Sequence, residues 1–170
     1  MVLVKSELIS QLQKEVDILV HLSSKVDRSK LDYRPTPKQR SSLELLRYMT
    51  IMGPQLVNAA KSGAFDGAAW GEASKAAEAR DWNQTVAMIK KQGDEYAKLL
   101  ADVSDAELRG EMTGFDGNKV SKGKFIVDLV LGGHAAYRTQ LFCYLKSCGR
   151  DELSTYNLWQ GVDAPAPATA

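Results

Sequence analysis

Scarcity is the first thing this sequence shows. Its 170 residues contain two cysteines, two histidines and five prolines. Cys143 and Cys148 fall in what reads as one helix, where a five-residue step turns their side chains about 140° apart. That spacing forbids a mutual disulfide and is not the spacing of a zinc or redox pair, so both thiols are expected reduced. No sign of charge dominates: Lys+Arg total 22 against Asp+Glu 21, a net charge of +1. The basic stripe that marks a nucleic-acid partner is therefore lacking. No apolar run approaches the roughly 18 residues that cross a bilayer. The start, MVLVKSELIS, has neither the apolar core nor the cleavage site of a secretory signal. These absences predict a cytoplasmic protein with no nucleic-acid and no membrane partner.

What is present is helical periodicity. Leu8, Leu12, Val16, Leu19, Leu22 and Val26 form one stripe, predicting a first helix from Ser6 to about Arg28 with His21 on its solvated side. Pro35 and Pro37 make LDYRPTPKQR a connector. Ser41 and Glu44 then have the form of a capping box, opening a second helix whose stripe is Leu45, Met49, Met52 and Leu56. Gly53-Pro54 predicts a kink or restart before the helix ends near Lys61. From Ser62 to Arg80 the chain is rich in Gly and Ala, a surface loop pinned by Phe65 and Trp70, with a weak helix at Glu72–Ala79. Asp81 with Gln84 opens a third helix, striped by Trp82, Val86, Ile89, Gly93, Tyr96, Leu100 and Val103. Gly93 on that stripe predicts close approach by a neighbour, since a mid-helix Gly costs about 1 kcal/mol relative to Ala. Ser104 and Glu107 head one short turn. Gly114 and Asp116-Gly117 mark a crossover that suits a small hairpin.

Lys119 to Gly149 reads as the fourth and central helix. Residues 1–163 are expected to form one domain, all-α, a four-helix bundle with its long crossover between the second and third helices. The last seven residues, APAPATA at 164–170, have nothing to bury and read as a disordered tail.

The fourth helix carries polar side chains within an apolar body, and a helix buried over most of its circumference needs a reason for each. At roughly 100° per residue, Ile126, Gly133, Tyr137, Gln140 and Tyr144 share one strip. Val130, His134, Leu141 and Leu145 form a second, bordered by Arg138. If buried, Arg138 needs an anionic partner, from another segment or from a ligand. His134 suits a neutral imidazole bonded to a neighbouring helix, or a general base. Cys143 lies about 180° from His134 around the helix, so no Cys–His pair forms within it. GFDGNKVSKGK has neither P-loop nor dinucleotide-binding spacing.

HAAYRTQLFCYLKSCG resembles the last helix of the DinB/YfiT-like superfamily. LDYRPTPKQRSSLELLRYM is similar to that family's Arg-Pro connector and Ser-initiated second helix, and the resemblance runs from about Leu8 to Asp163. It implies a four-helix bundle with a long crossover, often a homodimer, and in many members a metal-dependent hydrolase or thiol-dependent transferase. In those members one histidine on the second helix and two, four apart, on the last hold the metal. By register the first position falls on Tyr48. The other two fall on Gly133 and Tyr137, or on His134 and Arg138 if His134 is matched. At most one of the three histidines is present. The expectation is thus a pocket without a metal cofactor, lined by Tyr48, His134, Tyr137, Arg138 and Gln140, that binds a small anionic ligand or serves a non-catalytic homodimer. The alternative is an enzyme using His134, with a divalent metal such as zinc or nickel.

Overall fold

The computed structural model describes residues 3–165, so most of the Ala-Pro tail read at 164–170 lies outside the described residues. Four long helices make the body: α1 (Lys5–Ser24), α2 (Ser42–Ser62), α4 (Trp82–Leu99) and a composite last helix. The crossover from α2 to α4 holds α3 (Gly67–Glu78). After α4 come a short α5 (Asp105–Arg109) and an antiparallel hairpin of β1 (Glu111–Thr113) with β2 (Lys119–Ser121), Met112 facing Val120. The composite helix runs as α6 (Lys122–Phe125), a π-helical stretch (Ile126–Leu131) and α7 (Gly132–Ser147). A final turn, α8 (Thr155–Trp159), folds back over α1. α1 and α2 both pack on α4, and both also meet the last helix, which closes the bundle. Leu12, Leu19, Leu45, Met49, Ile89 and Leu141 are among the side chains wholly removed from water in its centre. No helix of the described residues is long and apolar enough to cross a membrane.

The caps fall where the sequence placed them. The side chains of Ser41, Asp81 and Ser104 accept from the backbone N–H groups of Glu44, Gln84 and Glu107, and each of those side chains accepts from its cap residue in return. Other boundaries differ. α1 stops at Ser24 rather than Arg28: Lys25 N–H tightens onto the Leu22 carbonyl at 3.0 Å, and Asp27 caps a separate 3-10 turn. α3 begins at Gly67, five residues earlier than expected, because the Asp66 side chain caps Ala69 N–H at 3.0 Å. α4 ends at Leu99, short of Val103.

Gly53-Pro54 neither ends nor restarts α2, which is one helix from Ser42 to Ser62. A proline inside a helix removes one hydrogen bond and costs about 3 kcal/mol. Both residues are buried between neighbours, and that packing holds the helix together. Gly53 also has a positive role: a Cβ there would overlap the Tyr96 hydroxyl and lie 2.8 Å from Tyr96 Cζ. Gly93 does meet a neighbour, with its carbonyl accepting from Gln13 Nε2 at 3.3 Å.

His21 is not on a solvated face. Its side chain is only 15% exposed, with Nε2 3.0 Å from Asn157 Nδ2 and 3.7 Å from Asp163 Oδ1. α8 covers that side of α1, and nothing in the α1 stripe announces it. Burial first, and then Lys25, hold this imidazole's pKa below its ordinary value, against the opposing pull of Asp163.

The π-helical stretch corrects the angular map of the last helix. In a regular α-helix each four-residue step drifts by about 40°. Ile126, Val130, His134 and Arg138 follow one another at four-residue steps, yet all four are buried. The wider i→i+5 turn before Gly132 takes up part of that drift. Ile126 therefore continues the His134 strip and not, as uniform spacing predicts, the Tyr137 strip.

Candidate functional site

A groove of about 360 Å³ opens between α2 and the last helix. α2 supplies Tyr48, Met52 and Leu56 at four-residue steps, and the last helix supplies Asp128, Leu129, Gly133, Ala136 and Tyr137. The walls come from elsewhere in the chain: Phe65 and Trp70 from the crossover, Phe115 from the hairpin turn. The rings meet in sequence. Tyr137 and Tyr48 lie 5.0 Å apart, Tyr48 and Trp70 6.0 Å, Trp70 and Phe65 5.5 Å, and Phe65 and Phe115 5.2 Å, edge-on or tilted as aromatic quadrupoles prefer. Gly133 leaves room for the Met52 thioether, whose Sδ lies 3.1 Å from where a Cβ would sit. On the far side of Tyr48 the Arg40 guanidinium stacks 4.0 Å from the ring centroid.

The five residues singled out by sequence separate into three places. Tyr48 and Tyr137 line the groove together. Gln140 is half-buried and donates through Nε2 to the Tyr144 hydroxyl, which itself donates to the Arg40 carbonyl at 3.1 Å. His134 and Arg138 are in the core. His134 has no exposed surface, and its Nε2 lies 2.6 Å from the Tyr96 hydroxyl. Its Nδ1 and the Oε1 of Gln92 are buried side-chain atoms without a protein hydrogen-bond partner. Burial, and next the Arg138 charge, lower the His134 pKa to about 4, so the imidazole is neutral at pH 7. Burial likewise holds the Tyr96 phenol well above its ordinary value.

Arg138 finds its anion inside the protein. Its Nε donates to Glu15 Oε2 at 2.6 Å, Nη1 donates to the Leu158 carbonyl, and the Trp159 ring centroid lies 5.0 Å from Cζ. Sequence reasoning left that partner unnamed, but a signal was there: Glu15 stands three residues after Leu12 and four before Leu19, on the apolar stripe of α1. Trp70 and Phe65 sit in a Gly- and Ala-rich segment whose sequence marks a loop and carries no sign that the two rings wall a groove. Phe115 carries no periodic signal, because its place in the groove depends on how the hairpin folds back.

The family resemblance implies a metal at the Tyr48 position and at two positions of the last helix. Tyr48, Gly133 and Tyr137 do share one groove, whereas His134 and Arg138 are buried away from it. The donor set does not suit a first-row metal. Two phenols, a thioether and one carboxylate (Asp128) replace the imidazoles that such a site uses. Among the described residues no three His, Cys, Asp or Glu side chains gather where they could hold a metal ion. Burial, with the Tyr137 hydroxyl beside it, raises the Tyr48 phenol above its ordinary pKa.

The bundle has a DinB-like fold. A solved structure that shares it is a DinB-like protein of Bacillus subtilis, YjoA, with a TM-score of 0.67 over 88% of this chain and 96% of that one. The two sequences are 18% identical, so the likeness speaks for the fold alone. No family model matches the chain, and no curated protein does.

Proposed function

We propose that this bundle binds a small organic molecule in the groove between Tyr48 and Tyr137 and carries no resident metal. The observation that supports this most directly is the company those residues keep. Tyr48, Gly133 and Tyr137 share one concave site whose other lining includes Met52, Leu56, Leu129, three further aromatic rings and one carboxylate, Asp128. Small-molecule sites are mostly apolar and aromatic clefts of about 300–1,000 Å³ with a few placed polar groups. The reading includes no catalytic step. A hydrolase or transferase using His134 needs that imidazole in reach of a substrate, and it has no exposed surface. An anionic ligand held by Arg138 fares no better, since Glu15 already matches that charge. The bundle is further proposed to act as a homodimer, and sedimentation velocity that finds only monomer across micromolar concentrations removes that part.

The groove is tested by titrating isotope-labelled protein with an aromatic fragment set and following the Trp70 indole N–H. Ala136→Trp, on the exposed side of the groove, is expected to fill it and abolish the shifts without unfolding the protein. Shifts that persist in Ala136→Trp, or that cluster away from Tyr48 and Trp70, would place binding elsewhere.

A further inference from the structure

The groove's charge selects among ligands. Of the residues that line it, five are aromatic (Tyr48, Phe65, Trp70, Phe115, Tyr137) and one is charged, Asp128; no Lys or Arg is among them. The Asp128 carboxylate is paired with Lys124, four residues earlier on the same helix, and the two side chains are 48% and 65% exposed. Exposed pairs of that kind are weak, so a competing cation displaces the lysine at small cost. Ring faces already serve cations in this molecule: Arg40 stacks on Tyr48, and Arg138 on Trp159. From a carboxylate set among aromatic walls, we infer that the ligand is an organic cation, a quaternary or protonated amine with an apolar body. The ring quadrupoles and Asp128 together attract its charge. An anion in the same place would have to rely on Lys124, whose ammonium is already engaged by Asp128. This inference rests on the groove being a ligand site, and the experiment below separates its failure from the failure of that reading.

Three probes share one body and differ in charge: choline, the neutral 3,3-dimethyl-1-butanol, and the anionic 3,3-dimethylbutanoate. Each is titrated into the full chain at low salt while the Trp70 indole N–H is followed by NMR. Choline is expected to bind about tenfold more tightly than the alcohol, with the carboxylate weakest. Asp128→Asn is expected to remove most of choline's advantage over the alcohol and leave the smaller share that the ring faces supply. Lys124→Ala, which removes the competing ammonium, is expected to tighten choline about twofold. Equal binding of choline and the alcohol, or preference for the carboxylate, overturns the cation and leaves the groove standing. No response at Trp70 to any of the three overturns both.

Discussion

The Tyr96 hydroxyl lies 2.6 Å from His134 Nε2, in the space that a side chain at position 53 would fill. Three helices therefore meet at one buried neutral hydrogen bond, and the glycine of α2 is what admits it. Gly53→Ala forces the phenol off the imidazole and overpacks the core, with an expected loss of about 1–3 kcal/mol or more. Tyr96→Phe leaves a second ring nitrogen of His134 without a partner and is expected to cost about 1–3 kcal/mol. Urea denaturation checks both. Because the two changes act on one contact, the double variant should lose clearly less than the sum.

His134 also sets an acid limit on stability. Its folded pKa of about 4 lies below the ordinary 6.5, so between those values the unfolded chain binds the proton more readily. Stability is then complete above about pH 6.5 and falls as pH drops toward 4, by on the order of 3 kcal/mol. His21, also lowered, acts in the same direction from a less buried place. In His134→Gln the slope of unfolding free energy against pH over this window should flatten. An unchanged slope would assign the acid sensitivity to other groups.

Glu15 and Arg138 should behave as a structural pair. Removing either partner leaves a buried charge, an expected loss of about 3–5 kcal/mol for Glu15→Gln or Arg138→Met. The apolar double change Glu15→Leu with Arg138→Met should recover most of that stability and retain fragment binding in the groove. Loss of binding in the stable double variant would return Arg138 to the ligand site.

Tyr48 and Tyr96 should resist alkaline titration. Burial holds both phenols above their ordinary pKa. Ultraviolet titration of the folded protein should therefore show fewer ionising tyrosines near pH 10 than the six in the chain, with the rest appearing as it unfolds.

These expectations also show which features a sequence carries openly. Ser41 with Glu44 and Asp81 with Gln84 are local pairs, and local pairs are legible. The contact of Arg138 with Glu15 spans 123 residues, and only the misplaced carboxylate on the α1 stripe hints at it. The π-helical stretch has no sequence signature of its own, so uniform spacing put Ile126 on the wrong strip. Tyr48 and Tyr137 could be assigned to one site by register. The site's walls, Phe65, Trp70 and Phe115, could not, because a crossover and a hairpin turn bring them there from outside the long helices. Gly67 and Gly71 obscured the start of α3, although Asp66 offered a cap.

What occupies the space between Tyr48 and Tyr137 decides what this protein does. The Trp70 indole N–H, read during parallel titrations with zinc and with the aromatic fragments, reports on it directly. The expected result is a saturable shift with fragments and none with equimolar zinc. A zinc-induced shift at one equivalent, abolished by Tyr137→Phe and not reproduced by any fragment, would contradict it.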